Sequence, residues 1–212
     1  MIIVFGNRKG GVGKSTSSVN EAVYILNKLS SDVVILDADR QETAAEWVLE
    51  REENEINLER VQLVQKYGKI KNTINDLARK YKHVVIDVAG RNSDEMRSAM
   101  LIADVIVMPF KPSTSDFKTI PSMIESIEDA REVNPKLRAV AFLNMCNTSV
   151  TNRHEVREWR EVLEEFGAFE IAPNMYDRKV YRDCLITGEG VIEMNNPQAK
   201  EEVAGLHGVI FK

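Results

Sequence analysis

The sequence predicts an α/β fold, a mostly parallel twisted sheet with helices on both faces, in one domain spanning residues 1–212. Three observations carry that expectation. Short runs rich in Val and Ile recur without polar alternation, as strands buried on both faces do. Longer stretches with apolar residues at helical spacing lie between them. A glycine-rich loop joins the first run to the first helical stretch.

The first run is Ile2–Phe5 (IIVF). Thr16–Leu29 follows it as a helix, with Val19, Ala22, Val23, Leu26 and Leu29 at helical spacing. Val33–Leu36 (VVIL) reads as the second strand and Glu42–Glu53 as the second helix. The acidic segment Glu50–Glu59, which overlaps its end, reads as a solvated connection. Helix Ile70–Lys80, strand Val84–Ile86 (VVI), helix Glu95–Ile102 and strand Val105–Met108 (VIVM) continue the alternation. Ser115–Val133 reads as one long helix, and Ser113-Thr114-Ser115-Asp116 is placed to cap it as a variant capping box. Ala139–Leu143 (AVAFL) is a fifth strand, His154–Phe166 a helix, Phe169–Ala172 (FEIA) a weaker sixth strand and Gln198–Leu206 a closing helix. Such alternation builds parallel sheets through right-handed crossovers. No repeat, low-complexity tract or Pro/Gly-rich linker divides the chain.

The 212 residues, 43% hydrophobic and 29% charged, fit one large globular domain. A net charge of −5 argues against a dedicated nucleic-acid binder, so any DNA contact needs a local patch or a partner. Cys146 and Cys184 make neither a disulfide framework nor a C-x-x-C metal site. Free thiols point to a reducing compartment. The start MIIVFGNRKGG has no basic lead and no apolar core of about 7–15 residues, so no secretory signal is read. No run approaches the roughly 18 apolar residues of a membrane span. The expected location is cytoplasmic.

Chemistry concentrates at Arg8-Lys9-Gly10-Gly11-Val12-Gly13-Lys14-Ser15. Gly6–Ser15 leaves the first strand and opens the first helix, the context a phosphate-binding loop requires. Gly10, Gly11 and Gly13 let backbone N–H groups crowd around phosphate oxygens. Lys14 can reach the β- and γ-phosphates, and the Ser15 hydroxyl can ligate Mg²⁺. Arg8 stands where the common G-x-x-x-x-G-K-[ST] pattern has its first glycine, and Lys9 is a second lysine inside the loop. Asp37 and Asp39 end the second strand in Leu36-Asp37-Ala38-Asp39-Arg40-Gln41, and Asp87 ends a later one in Val85-Ile86-Asp87-Val88-Ala89-Gly90. Ligands of open α/β sheets sit at the carboxyl ends of strands, so these aspartates should converge on Lys14. A carboxylate after an apolar run is costly unless it meets a charge or a metal, and Mg²⁺ is the partner expected for Asp87 and Asp37. The alternative is that they cap the following helices. Gly90 is placed for its N–H to sense a γ-phosphate. Asn147 stands where an N-K-x-D guanine reader carries a carboxylate, so adenine is the expected base.

The loop K-G-G-x-G-K-[ST] at 9–15, with LDADRQ at 36–41 and VVIDVAG at 84–90, resembles the deviant-Walker-A P-loop NTPases of the ParA and MinD family. The resemblance covers nearly the whole chain and is greatest to short ParA-type plasmid partition ATPases without an N-terminal helix-turn-helix. It implies a weak ATPase whose ATP and Mg²⁺ are sandwiched in a homodimer. Gly10, Gly11, Val12, Gly13, Lys14, Ser15 and Thr16 would hold the nucleotide. Lys9 would cross the interface to the phosphates held by the partner. A cation supplied in trans favours the dimer while the γ-phosphate remains, as an arginine finger does; a second lysine acting within its own chain is the alternative. The resemblance assigns Asp39 to the attacking water, Asp87 to the Mg²⁺ shell and Asp37 to the same cluster. Ser15 replaces the commoner threonine. Asn144 resembles the asparagine that meets the adenine edge, a strand-end turn residue being the other reading. Ala172-Pro173-Asn174-Met175 would flank the base.

The same resemblance implies non-specific DNA binding by the ATP-bound dimer, a ParB-like or ribbon-helix-helix centromere-binding partner, and association with the nucleoid. Candidate DNA surfaces are the basic Asp177-Arg178-Lys179-Val180-Tyr181-Arg182 and the helix carrying Arg153, Arg157 and Arg160. Glu155, Glu158, Glu161, Glu164 and Glu165 weaken the second, and a solvated charged face is the plain alternative for both. Asp94–Met100 is placed to move with nucleotide state. A MinD-like membrane-positioning ATPase needs a basic amphipathic C-terminal helix. Asn196–Lys212 has two lysines, no arginine and a glycine pair that weakens a helix, so no membrane partner is expected. A metabolic P-loop ligase or kinase is a third reading, and Lys9 argues against it.

Overall fold

The computed structural model describes residues 1–54, 58–90, 93–149, 151 and 153–212. The strands are β1 (Ile2–Phe5), β2 (Val33–Ala38), β3 (Gln62–Gln65), β4 (His83–Val88), β5 (Val105–Phe110), β6 (Arg138–Leu143) and β7 (Glu170–Ile171). Among the described residues they form one seven-stranded sheet in the order β3-β2-β4-β1-β5-β6-β7, every pair parallel.

Successive side chains of each strand point to opposite faces. Ile3 and Phe5 enter one core with α1 (Lys14–Leu29), α2 (Thr43–Glu53), α8 (Lys179–Thr187) and α9 (Pro197–Ile210). Val4 enters the other, with α3 (Lys71–Lys80), α4 (Asp94–Met100), α5 (Thr114–Phe117), α6 (Ile120–Val133) and α7 (Arg153–Glu165). Full burial of an aliphatic side chain stabilises by about 1.5–3 kcal/mol, which is why the strands carry unbroken apolar runs.

Four of the elements depart from the sequence expectation. β3 carries no apolar run: it is an edge strand paired with β2, exposed at Gln62 and Gln65. The long helix divides into α5 and α6, because Pro121 lies in the first turn of α6 and restarts it. The expected cap holds: the Ser113 side chain accepts from the Asp116 N–H at the start of α5. The basic stretch after Asp177 becomes α8. The closing helix runs through both Gly205 and Gly208 to Ile210, its apolar face buried at Ala199, Val203, Leu206 and Ile210.

The acidic segment also differs. Residues 55–57 of it lie outside the described residues, but Arg51 within it is buried. Its guanidinium pairs with Glu193 at 2.8 Å and donates to the Glu59 and Gly188 carbonyls. Beside it the Trp47 indole N–H donates to the Cys184 carbonyl at 3.0 Å and the Glu189 carbonyl at 3.3 Å. These bonds fasten α2 to α8 and to the turn that follows it. Gly188, at φ +68°, closes α8, and a Cβ there would lie 2.2 Å from the Arg51 nitrogen.

β1 lies between β4 and β5, and the chain passes from one side of it to the other. The crevice at its carboxyl end is where such a sheet binds ligands.

Candidate nucleotide site

The loop after β1 is held by Asn7, which is fully buried. Its Nδ2 donates to the Pro109 carbonyl at 2.6 Å, and its Oδ1 accepts from the Lys9 N–H at 2.9 Å. Gly11 and Gly13 lie at φ +69° and +93°, where glycine is unstrained. Lys14 opens α1 and is buried, its Nζ 3.4 Å from the Lys9 carbonyl it donates to. Burial pushes its pKa down, and the charges of Asp87 and Asp39 oppose that shift. The Lys9 ammonium has no ion-pair partner among the described residues.

Strand register brings the acids together. Asp37 of β2 is paired with Asp87 of β4, and Asp87 with Phe5 of β1. Both Asp87 oxygens are buried without a hydrogen bond among the described residues. Burial pushes its carboxyl up to about 7; the nearby Ser15 hydroxyl opposes this without satisfying it, the Asp37 and Asp39 charges add to it, and Lys14 opposes it. An orphaned buried carboxylate is costly. Beside a hydroxyl at a phosphate loop, it fits a hard cation that takes oxygen ligands, such as Mg²⁺.

Asp37 is used differently. Its Oδ1 accepts from the Asp39 N–H and its Oδ2 from the Ala45 N–H, each at 3.0 Å. Burial raises its pKa, and those two N–H groups lower it. Asp37 thus shapes the turn that carries Asp39, and Asp87 is the carboxylate left open. Asp39 Oδ1 accepts from the Gln41 N–H at 3.0 Å. Gly90 abuts the loop directly: a Cβ on it would lie 2.7 Å from the Gly10 Cα.

Two cavities flank the loop. One of about 500 Å³ is lined by Gly10, Lys14, Asp39, Arg40, Gly90 and Glu95, and suits the phosphate end of a nucleotide. The other, of about 300 Å³, is lined by Thr16, Asn144, Met175, Tyr176, Arg178, Tyr181 and Leu185 among others, and suits its base.

Asn144 lines the base-side cavity but also braces the loop. Its Nδ2 donates to the Val12 carbonyl at 2.8 Å, and its Oδ1 accepts from the Met145 N–H at 2.9 Å. One N–H and one lone pair remain for a ligand. Pro173 and Asn174, expected at the base, do not line this cavity. Pro173 packs near Gly205 of α9, and the Asn174 Oδ1 accepts from Arg160 at 2.9 Å. Residues 175–185 form the wall instead. Glu202 of α9 organises it, accepting from the Tyr181 hydroxyl and Arg178 Nε, each at 2.8 Å, and from the Tyr176 N–H at 3.2 Å. No local motif signals these residues; the contacts join positions more than 20 apart.

The expected DNA surfaces are largely neutralised within the chain. Arg178 pairs with Glu202, Lys179 with Asp183 and Arg182 with Asp177. On α7, Arg157 pairs with Glu161 and Arg160 with Glu164.

A family model described as ATPase MipZ matches residues 1–132, a span that holds Lys9, Lys14, Asp37, Asp39 and Asp87. Maintenance of carboxysome distribution protein A of Halothiobacillus neapolitanus is 26% identical over 193 residues, covering 91% of this chain and 87% of that protein. Protein ParA of Rhizobium radiobacter is 24% identical over 204 residues, covering 96% and 90%. A protein of Borrelia burgdorferi B31 solved with AMPPNP bound shares the fold, with a TM-score of 0.74 at 16% identity over 99% of this chain and 98% of that one.

Proposed function

Since the chain belongs to the MipZ family of ATPases, we propose that it is a nucleotide-switched partition ATPase. It hydrolyses ATP. With ATP bound it pairs with a second copy and holds DNA non-specifically, until a cargo-bound partner triggers hydrolysis.

The observation that carries this reading is the orphaned Asp87 beneath Lys14 and Ser15, with Asp39 on the facing turn. A triphosphate in the larger cavity draws Lys14 from the Lys9 carbonyl to its phosphate oxygens. The loop N–H groups around Gly10–Gly13 hold the same oxygens. Mg²⁺ held by Ser15 and Asp87 would neutralise charge on the β- and γ-phosphates. Asp39, fixed by the Gln41 N–H, orients the attacking water. Asp37 positions that turn. The Lys9 ammonium reaches the phosphates of the second chain, so the dimer persists only while the γ-phosphate does.

Two chains present their scattered cations together, which turns weak phosphate contacts into avidity. The cations of Arg178–Arg182 contribute little, because carboxylates of the same chain already hold them. The α9 apolar face is buried in the core, so this helix has none to lay on lipid. The 26% identity to a carboxysome distribution protein favours a second reading of the same cycle, with a protein assembly rather than a plasmid as cargo.

The test is binding to random-sequence duplex DNA at fixed salt, with no nucleotide, ADP, ATP or a non-hydrolysable analogue. Binding with the triphosphate forms alone is expected. Equal binding in every state, or none despite an ATP-dependent dimer, would sink the DNA reading.

A further inference from the structure

Arg40 lines the phosphate-side cavity and has no part in the cycle above. It follows Asp39 at the tip of the turn and is exposed. Its guanidinium lies over the Tyr67 ring, 5.1 Å from the centroid. Among the described residues it makes no ion pair. That separates it from Arg178 and Arg182 of the base-side cavity, both already neutralised.

The resting place of Arg40 is built by the same turn. The Tyr67 hydroxyl donates to Glu42 Oε1 at 2.7 Å, and the Glu42 N–H donates to the Asp39 carbonyl at 3.0 Å. The Glu42 bond retains the phenol proton, its pKa pushed up to about 12. The hydroxyl bond to Glu42 fixes the ring in the plane over which the guanidinium lies. Among the described residues, the other charged side chains lining this cavity are Lys14, Asp39 and Glu95, with Asp87 beneath. One lysine among the described lining residues, facing these carboxylates, leaves a triphosphate short of positive charge, even with one divalent cation.

We propose that Arg40 is a further phosphate-recognising residue, which leaves the Tyr67 ring when ATP enters and meets the terminal phosphate held in its own chain. A guanidinium over an exposed ring is weakly held. Its forked bonds to phosphate are charge-assisted and stronger, so the exchange runs toward the nucleotide. ADP lacks the group that Arg40 reaches, so Arg40 separates the two nucleotides. Its move also displaces the backbone next to Asp39, linking recognition of the γ-phosphate to placement of the water. This inference rests on the ATP site proposed above.

Calorimetric titration tests it, using a non-hydrolysable ATP analogue and ADP with Mg²⁺, at a concentration where sedimentation shows single chains. Arg40→Ala is expected to bind the analogue about 10-fold more weakly and ADP within about twofold of wild type. Arg40→Lys should recover part of the loss, because it keeps the charge without the fork. Tyr67→Phe keeps the ring and should bind both nucleotides like wild type. Equal weakening for both nucleotides, no weakening for either, or a loss that emerges only once chains dimerise would overturn the proposal. Wild type binding neither nucleotide would bring down the ATP site and Arg40 together. Wild type binding both, with Arg40→Ala indistinguishable from it, would remove Arg40 alone.

Discussion

Burial takes both Asp87 oxygens out of water without giving them a hydrogen bond among the described residues, and the pKa rises from 3.8 to about 7. A raised folded-state pKa means that the folded chain binds this proton more tightly than the unfolded chain. In metal-free buffer the fold should therefore lose stability as pH climbs from about 4 to about 7, and stay lower above that. Asp87→Asn removes the buried charge. Its metal-free melting temperature at pH 8 is expected to exceed wild type, by about 2–4 °C for each kcal/mol recovered. Mg²⁺-dependent nucleotide binding should be lost in the same variant. Melting at or below the wild-type temperature at pH 8 would contradict an ionised, unpartnered Asp87. At this scale the sequence identified which residues meet, since Asp37, Asp39 and Asp87 sit at strand ends beside the loop that carries Lys14. It did not show how each is used. The double hold of Asp37 on Asp39 and Ala45, and the brace from Asn144 to Val12, depend on turn geometry. Pro173 and Asn174 lie outside the lining of the cavity beside Asn144, where α9 and Arg160 engage them.

The clamp between α2 and α8 depends on one buried ion pair. The Arg51 and Glu193 side chains are 1% and 15% exposed. Removing one partner leaves a buried charge unpaired, which costs about 3–5 kcal/mol. Arg51→Ala is expected to lose stability of that order in urea unfolding. Arg157→Ala, whose exposed Glu161 partner lies 3.6 Å away, should stay within about 0.5 kcal/mol of wild type. Similar losses in the two variants would show that burial is not what distinguishes them. The elements most legible in the sequence are those buried on both sides, where apolar runs are obligatory. β3 was hidden because an edge strand tolerates glutamines at both ends. α8 was hidden because it lacks a side-chain N-cap and buries only Val180 and Cys184, leaving its charges to dominate the pattern.

For the molecule as a whole, the proposed cycle has Lys9 separate nucleotide binding from assembly. Lys9→Ala is expected to bind an ATP analogue within about 10-fold of wild type yet sediment as single chains, whereas Lys14→Ala should bind little nucleotide at all. An intact analogue-dependent dimer of Lys9→Ala would place that lysine in its own chain's site. The same protein carries two tryptophans, on opposite faces of the sheet. Trp47 is buried on α2, whose first turn is tied to Asp37 through the Ala45 N–H. Any shift of that turn reaches the indole and the two carbonyls it is bonded to. With Trp159→Phe in place, the emission of Trp47 becomes an intrinsic optical readout of site occupancy, fast enough for stopped-flow and free of any attached dye.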